Sequence, residues 1–379
     1  MAVTKQILAM LATYLILNLS SCNPEHAMQS DKPKQVDRPR PSQFLSADDD
    51  RLTYVGRFHR VIDQGITEMR STWPGTLVRF QAKLQTLSVE IRETDEQQNR
   101  YKILIDGEVH TEISPRPDQL IYPVISDFDA SKSHEFTIYK VTEYPEAAGA
   151  FQGIYLDAEA TISKARPRKR VIEFIGDSNT VGYGNISKTR ENCDPWTTTD
   201  NHLSYARQIG DHFDADVYIN ARSGIGMVQN YGNTDPSPSI AMPQIYKRTL
   251  QHQATPEWDF ASVTPDLVIV ALGANDLWDE KYEPSKELFQ TTYQQFLTTL
   301  YKYYPADTRY LLLGDNSKNL QTRVKEIVAQ EIRDGRKYTG YSKQYHSNTK
   351  GCNWHPDKNS HKKAVKKLST DISGFMGWG

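Results

Sequence analysis

The stretch Val171-Ile172-Glu173-Phe174-Ile175-Gly176-Asp177-Ser178-Asn179-Thr180-Val181-Gly182-Tyr183-Gly184 decides how the second half of the chain is read. Its first five residues, rich in β-branched and aromatic side chains, predict a buried strand; Gly-Asp-Ser then breaks the run, and two further glycines free the backbone. The strand delivers a serine to its carboxyl end. In an open α/β sheet ligands bind outside the carboxyl ends of the strands, so a hydroxyl presented there is a candidate nucleophile. A serine in this position also caps helices, and a tripeptide recurs by chance, so the rest of the chain must choose between the two readings.

Downstream, strands and helices alternate. A helix around Leu203 to Phe213 precedes a strand at Val217-Tyr218-Ile219-Asn220, and an irregular region with Pro236, Pro238 and Pro243 leads to the apolar run Leu267 to Leu272. An amphipathic helix near Ser285 to Tyr304, the strand Tyr310 to Leu313, a helix near Leu320 to Asp334 and a basic helix from Lys358 to about Phe375 complete the pattern. Apolar strands interleaved with amphipathic helices predict a three-layer α/β domain with a parallel sheet, over residues 170–379.

Upstream, residues 48–163 carry short alternating runs: Thr76 to Phe80, Leu84 to Ile91, Tyr101 to Ile105, His134 to Val141 and Ile154 to Ala158. Each suits a strand with one buried face, and no helical period competes, so this half predicts an antiparallel β-sandwich of the jelly-roll kind. Its aromatics Trp73, Tyr54 and Phe58 have two readings, a sugar-binding platform or the filling of the sandwich core or of an interface to the second domain, and the second is the commoner use of such residues.

Ahead of the sandwich, residues 22–47 are rich in Pro, Lys, Gln, Ser and Asp and poor in large apolar residues, which predicts a flexible tether. Residues 1–21 read as a processing signal: Lys5 supplies the positive start, and Ile7 to Leu19 an apolar core short for a permanent span. The tetrad Leu19-Ser20-Ser21-Cys22 resembles a bacterial lipoprotein box, which implies cleavage before Cys22, lipid on its sulfur, and export to the cell envelope, at the outer membrane or cell surface. The membrane is then a partner through that anchor alone. Of the three cysteines, Cys193 and Cys352 remain, an even pair and a disulfide candidate in an oxidising compartment. A formal net charge of -2 gives no electrostatic footprint for nucleic acid, and the basic run Lys164 to Arg170, broken by Pro167, reads as an inter-domain connector.

Three more short patterns fall where a parallel-sheet site would need them: Ala221-Arg222-Ser223-Gly224-Ile225-Gly226, Gly273-Ala274-Asn275-Asp276, and Gly351-Cys352-Asn353-Trp354-His355-Pro356-Asp357. Serine, glycine, asparagine and histidine thus occur in the order and context of the SGNH hydrolase superfamily, which this half resembles. A serine hydroxyl is a poor nucleophile until an imidazole removes its proton, and the tetrahedral intermediate carries an oxyanion that needs fixed donors. The resemblance casts Ser178 as nucleophile, His355 as base and then acid, and the N–H groups of Ser178 and Gly224 with the Asn275 amide as the oxyanion hole. In isolation each residue has a structural use: Gly224 in a turn, Asn275 as a cap, His355 on the surface. Asp177 is expected to organise the turn, and Asp357 to cap the last helix. No His or Cys pair has a zinc spacing, so neither metal nor cofactor is expected, and the absence of Gly-x-Ser-x-Gly around Ser178 argues against the α/β-hydrolase fold.

The run Glu173 to Asn185, the preceding sandwich and Gly-Cys-Asn-Trp-His-Pro together resemble carbohydrate esterase family 2, over essentially everything after the tether. The resemblance implies a jelly-roll domain joined to an SGNH domain, and removal of O-acetyl groups from acetylated glucomannan or xylan, with preference for the 6-O-acetyl ester of hexoses. One departure stands out: where a carboxylate often sits three or two residues before the histidine, this chain has Cys352 and Asn353. The expectation is a Ser178–His355 dyad whose ring is oriented by a backbone carbonyl or by Asn353. Trp354 and Trp278, beside the motifs, are candidates for stacking on a pyranose ring or for packing under their own loops. Two other functions stay open at this point: a carbohydrate-binding lipoprotein with a vestigial hydrolase site, and an SGNH lipase or esterase acting on other acyl esters through a wide apolar pocket.

Overall fold

Alternating apolar residues organise the sandwich of a computed structural model that describes residues 42–379 except 94–98, 147 and 236–239. The expected signal peptide, Cys22 and most of the expected tether lie outside the described residues. The described residues form one compact unit. Its first part holds twelve strands among the described residues: β1 (Ser42–Ser46), β2 (Thr53–Val55), β3 (His59–Asp63), β4 (Ile66–Ser71), β5 (Leu77–Lys83), β6 (Leu87–Arg92), β7 (Tyr101–Ile105), β8 (Glu108–Ile113), β9 (Ile121–Ile125), β10 (His134–Lys140), β11 (Gly149–Asp157) and β12 (Thr161–Lys164). They form two antiparallel sheets, β3-β4-β11-β6-β9 with β1 on β11, and β12-β5-β10-β7-β8 with β2 on β5. Val89, Ile91, Phe80, Ile103, Phe136 and Ile154 are buried between the sheets in one core, each such side chain contributing roughly 1.5–3 kcal/mol through burial.

Two expectations for this half need correction. Ser42–Ser46 was expected within the tether, yet it pairs with Asp157 to Gly153 as β1, and Leu45 is 2% exposed. Phe44-Leu45 supplies an apolar pair that the polar average of the segment conceals, so the folded part begins before residue 48. The run from Leu84 is not one strand either. The Asp157 carboxylate accepts the N–H groups of Gln85 (2.6 Å) and Thr86 (3.1 Å), turning the chain so that β6 starts at Leu87.

The second part is a parallel sheet of β13 (Arg170–Gly176), β14 (Ala215–Ala221), β15 (Leu267–Ala271), β16 (Arg309–Gly314) and β17 (Thr339–Lys343), ordered β14-β13-β15-β16-β17. Short helices α1 (Ser178–Val181) and α2 (Pro195–Thr198) follow β13, then α3 (Tyr205–His212); α4 (Met242–Ile245) follows β14, α5 (Lys286–Tyr303) follows β15, α6 (Lys318–Arg333) follows β16 and α7 (Lys358–Met376) ends the chain. Period-two alternation splits each strand between two cores. Val268, Val270 and Leu312 pack with Phe289 and Tyr293 of α5 and Val324 of α6, whereas Phe174, Ile219, Ile269 and Leu311 pack with Ile209 of α3 and Leu368 of α7.

The two halves share a buried polar seam. The Arg57 guanidinium, 1% exposed, pairs with Glu173 of β13 at 3.3 Å. Gln251 N donates to Thr72 Oγ1 at 2.9 Å, and Arg79 pairs with Asp216 at 2.9 Å. Trp73 belongs here: fully buried, with its indole N–H donated to the Thr249 carbonyl at 3.0 Å, it is a seam residue and no sugar platform. Tyr54 and Phe58 pack edge-to-face on the sandwich core.

Candidate active site

Parallel strands carry their functional loops to one edge, and here the edge has a switch point. β13 lies between β14 and β15, so the crossovers that follow it run to opposite sides and leave a crevice over its carboxyl end. Ser178 follows β13, Gly224 follows β14, Asn275 follows β15, and His355 arrives from the loop between β17 and α7.

Asp177 caps α1, its Oδ1 accepting the Asn179 N–H at 3.0 Å, which holds Ser178 at the first helical position. Burial pushes the Asp177 carboxyl up to about 7, its bond from Asn179 opposing and the nearby carboxylates Asp315 and Asp276 adding to the rise. The Ser178 Oγ lies 2.8 Å from His355 Nε2. On the far side of the ring, Nδ1 is 3.1 Å from the Cys352 carbonyl and 3.0 Å from the Asn353 carbonyl. A carbonyl only accepts, so Nδ1 carries the proton, and Nε2 offers a lone pair to the serine hydroxyl. Burial lowers the His355 pKa, while the two carbonyls, which favour the imidazolium, pull the other way.

Among the described residues no carboxylate takes the orienting role. Cys352 is disulfide-bonded to Cys193, with Cα atoms 5.7 Å apart. The Asn353 amide faces away and donates to Tyr183 Oη at 3.0 Å, so it is the backbone of Asn353 that meets the imidazole. The loop is docked on the segment after Ser178, Cys352 N donating to the Gly184 carbonyl at 3.0 Å and Asn353 N to the Arg190 carbonyl at 2.8 Å, and is closed on itself by Gly351 N donating to the His355 carbonyl at 2.8 Å. Gly184 must be glycine here, since its φ is +58° and a Cβ would strike Cys352. The Tyr183 ring packs on His355 with centroids 4.5 Å apart. Tyr183 stands inside the opening stretch, and its contact with a histidine so distant in sequence left no sequence signal.

The loops after β14 and β15 carry the other two residues expected as oxyanion donors. Gly224, at φ +76°, has an N–H without a partner among the described residues, while its carbonyl accepts Tyr231 N at 2.9 Å. Asn275, 9% exposed, uses one amide hydrogen on the Ile225 carbonyl at 2.8 Å and keeps the other. Its neighbour Asp276 accepts the N–H groups of Met227 (2.8 Å), Val228 (2.6 Å) and Gln229 (3.0 Å), fastening the β14 loop to the β15 loop. Trp354, next in sequence to His355, is 53% exposed and sits at φ +57° after Asn353 at +48°, two left-handed residues in succession. Trp278 is half-buried and stacked on Tyr282, with the exposed Tyr231 ring 5.3 Å away. Asp357 caps α7 by accepting Ser360 N at 2.8 Å. Among the described residues no cluster of three or more His, Cys, Asp or Glu could hold a metal ion.

A hydroxyl against an unprotonated imidazole nitrogen is equipped for acyl transfer through a serine ester. Comparisons with known proteins point to ester hydrolases. Residues 54–165 match the carbohydrate esterase 2 N-terminal family, and residues 172–368 match the GDSL-like lipase/acylhydrolase family. The chain is 30% identical over 322 residues to an acetylxylan esterase / glucomannan deacetylase of Cellvibrio japonicus, covering 81% of this chain and 86% of that one. A second Cellvibrio japonicus protein of the same description is 24% identical over 374 residues, covering 95% of this chain and 96% of its own. A solved family two carbohydrate esterase from Clostridium thermocellum, in complex with cellohexaose, is 26% identical with a TM-score of 0.77, covering 86% of this chain and all of the other.

Proposed function

The chain belongs to carbohydrate esterase family 2 and is a carboxylic ester hydrolase; from that premise we propose that it removes O-acetyl groups from acetylated glucomannan or xylan, with the 6-O-acetyl ester of hexoses preferred, by acyl transfer through Ser178. The observation that carries the mechanism is the 2.8 Å contact between Ser178 Oγ and His355 Nε2, with Nδ1 bonded to two carbonyls. His355 takes the hydroxyl proton as Oγ attacks the acetyl carbonyl. The N–H groups of Ser178 and Gly224 and the Asn275 amide receive the oxyanion, and His355 then hands its proton to the departing sugar hydroxyl. Water, activated by the same imidazole, releases acetate. The imidazolium that forms is stabilised by carbonyl dipoles instead of a carboxylate. Trp354 and Trp278 offer stacking faces to a pyranose ring.

The test is acetate release from acetylated glucomannan, acetylated xylan and 4-nitrophenyl acetate by the wild type and Ser178→Ala. Ser178-dependent release from a polysaccharide is the expected result, and its absence from all three would sink the assignment. We further propose that Cys22 carries diacylglycerol and tethers the enzyme to the bacterial envelope, a reading supported by Leu19-Ser20-Ser21-Cys22. Incorporation of a palmitate analogue, lost in Cys22→Ala, is the expected outcome; equal labelling of both would refute it.

A further inference from the structure

The loop that carries Gly224 is held from two sides, and only one of them belongs to the hydrolase domain. Asp276 fastens residues 227–229. On the other side Ser223 N donates to Glu143 Oε2 at 2.8 Å, and Glu143 comes from the sandwich, just after β10. The root of the Glu143 segment is itself fixed. Lys140 Nζ, buried, donates to the Thr72 carbonyl at 3.1 Å, Val141 N to Arg100 O at 2.9 Å, and the Val141 carbonyl accepts Asn201 N at 2.9 Å. Beyond Ser223, Ile225 N bonds to the Arg222 carbonyl at 3.3 Å and Gly226 N to Asn230 Oδ1 at 3.1 Å. The N–H groups on either side of Gly224 are therefore engaged, and its own is left free among the described residues.

We propose that Glu143 is a positioning residue for the oxyanion hole, so that the β-sandwich supplies part of the hydrolase site and is more than a spacer or binding module. The proposal rests on the reading of Gly224 N–H as an oxyanion donor. A charge-assisted bond to Ser223 N fixes the backbone one residue before that donor, at a glycine with φ +76° that has no side chain to restrain it. Preorganisation of such donors is what lowers the barrier, since a donor that must reorient during reaction contributes less. Burial raises the Glu143 pKa, while Ser223, the Arg222 guanidinium and the Lys140 ammonium favour its charged form. Glu146, three residues on and exposed, meets Arg222 at 3.4 Å and serves as the control carboxylate.

The experiment measures kcat and KM on 4-nitrophenyl acetate, with thermal midpoints, for the wild type, Ser178→Ala, Asn275→Ala, Glu143→Gln, Glu143→Ala, Glu146→Ala and the Asn275→Ala/Glu143→Gln double variant. Expected are a fall in kcat of about 10-fold for Glu143→Gln, more for Glu143→Ala, against the ~10²–10³-fold typical of losing a donor outright. KM stays within twofold, Glu146→Ala is unchanged, and the double variant loses less than the product of its single losses because both act on one oxyanion. Glu143→Gln keeps the side-chain shape and gives the readout should Glu143→Ala fail to fold. If Ser178→Ala stays active, the underlying reading fails. If activity depends on Ser178 and Asn275 but both Glu143 variants keep kcat within twofold, or lose only KM, or multiply fully with Asn275→Ala, the reading stands and the proposal for Glu143 is overturned.

Discussion

Replacing Cys193 by serine separates stability from catalysis in the loop that bears His355. The two cysteines are 159 residues apart in sequence, and chain-entropy arithmetic for a closed loop of that size gives about 17 cal/mol/K, or about 5 kcal/mol at 25 °C, as the entropic ceiling. Measured disulfides more often contribute about 2–4 kcal/mol. For a chain of this length that lowers the thermal midpoint by about 2.5–5 °C, from an unfolding entropy near 2.1 cal/mol/K per residue. Catalysis is expected to respond differently. The groups that orient the imidazole are the carbonyls of Cys352 and Asn353, and the loop is still docked through Cys352 N to Gly184 O and Asn353 N to Arg190 O. The expectation is a Cys193→Ser enzyme with the lower midpoint and a kcat at 25 °C within about fivefold of wild type, since one ~1 kcal/mol hydrogen bond is the most that a loosened loop should forfeit. Circular dichroism melts and 4-nitrophenyl acetate hydrolysis measure the two quantities. A kcat loss of thirtyfold or more in a variant folded at 25 °C would refute the claim that backbone docking holds the ring. An unchanged midpoint would refute the stability arithmetic.

Three further outcomes follow from the same geometry. Burial lowers the His355 pKa, and only the neutral ring accepts the Ser178 proton; kcat/KM is therefore expected to be flat near pH 7–8 and to fall with an acid limb below pH 6.5, read from a pH–rate profile, with an acid limb above 6.5 counting against it. Asn353→Asp places its new carboxylate against Tyr183 Oη and not the imidazole, so kcat and the acid limb should move little; a rise of tenfold in kcat would mean that the side chain swings to Nδ1. Arg57→Ala leaves Glu173 buried beside Tyr246 Oη (2.9 Å) without its cation, at a cost of about 3–5 kcal/mol in denaturant unfolding, and a loss under about 1 kcal/mol would show that the pair is dispensable.

What was legible in the sequence is what physical chemistry writes locally. β13, β15 and β16 announce themselves because strands buried on both faces are mostly apolar, with Glu173 the buried exception in β13; Ser178 and Asn275 stand within a few residues of the ends of β13 and β15, and Gly224 follows the edge strand β14. β17 was missed for the converse reason: Thr-Gly-Tyr-Ser-Lys is an edge strand, paired on one side only and mostly polar. The exposed strands β3, β8 and β12 were equally silent. Trp73 shows a different limit: from sequence it is open between sugar platform, sandwich core and inter-domain interface, and only the fold places it in the seam.

The orientation of His355 was beyond sequence reading in a deeper sense. Any residue brings a carbonyl, so Cys352 and Asn353 carry no signature of the role their backbones play; only the absence of a carboxylate was visible. The two left-handed residues Asn353 and Trp354 explain how the chain manages it: they fold the loop back so that both carbonyls reach one ring nitrogen, a conformation that costs of order 1–3 kcal/mol per strained residue. The disulfide and the docking bonds to residues 184 and 190 offset that strain. The same logic links Gly224 to Glu143. In the His355 loop the functional group sits on strained backbone and in the Gly224 loop on backbone that a glycine leaves unrestrained, and distant residues hold each in place, so these supports become visible only once the chain is folded.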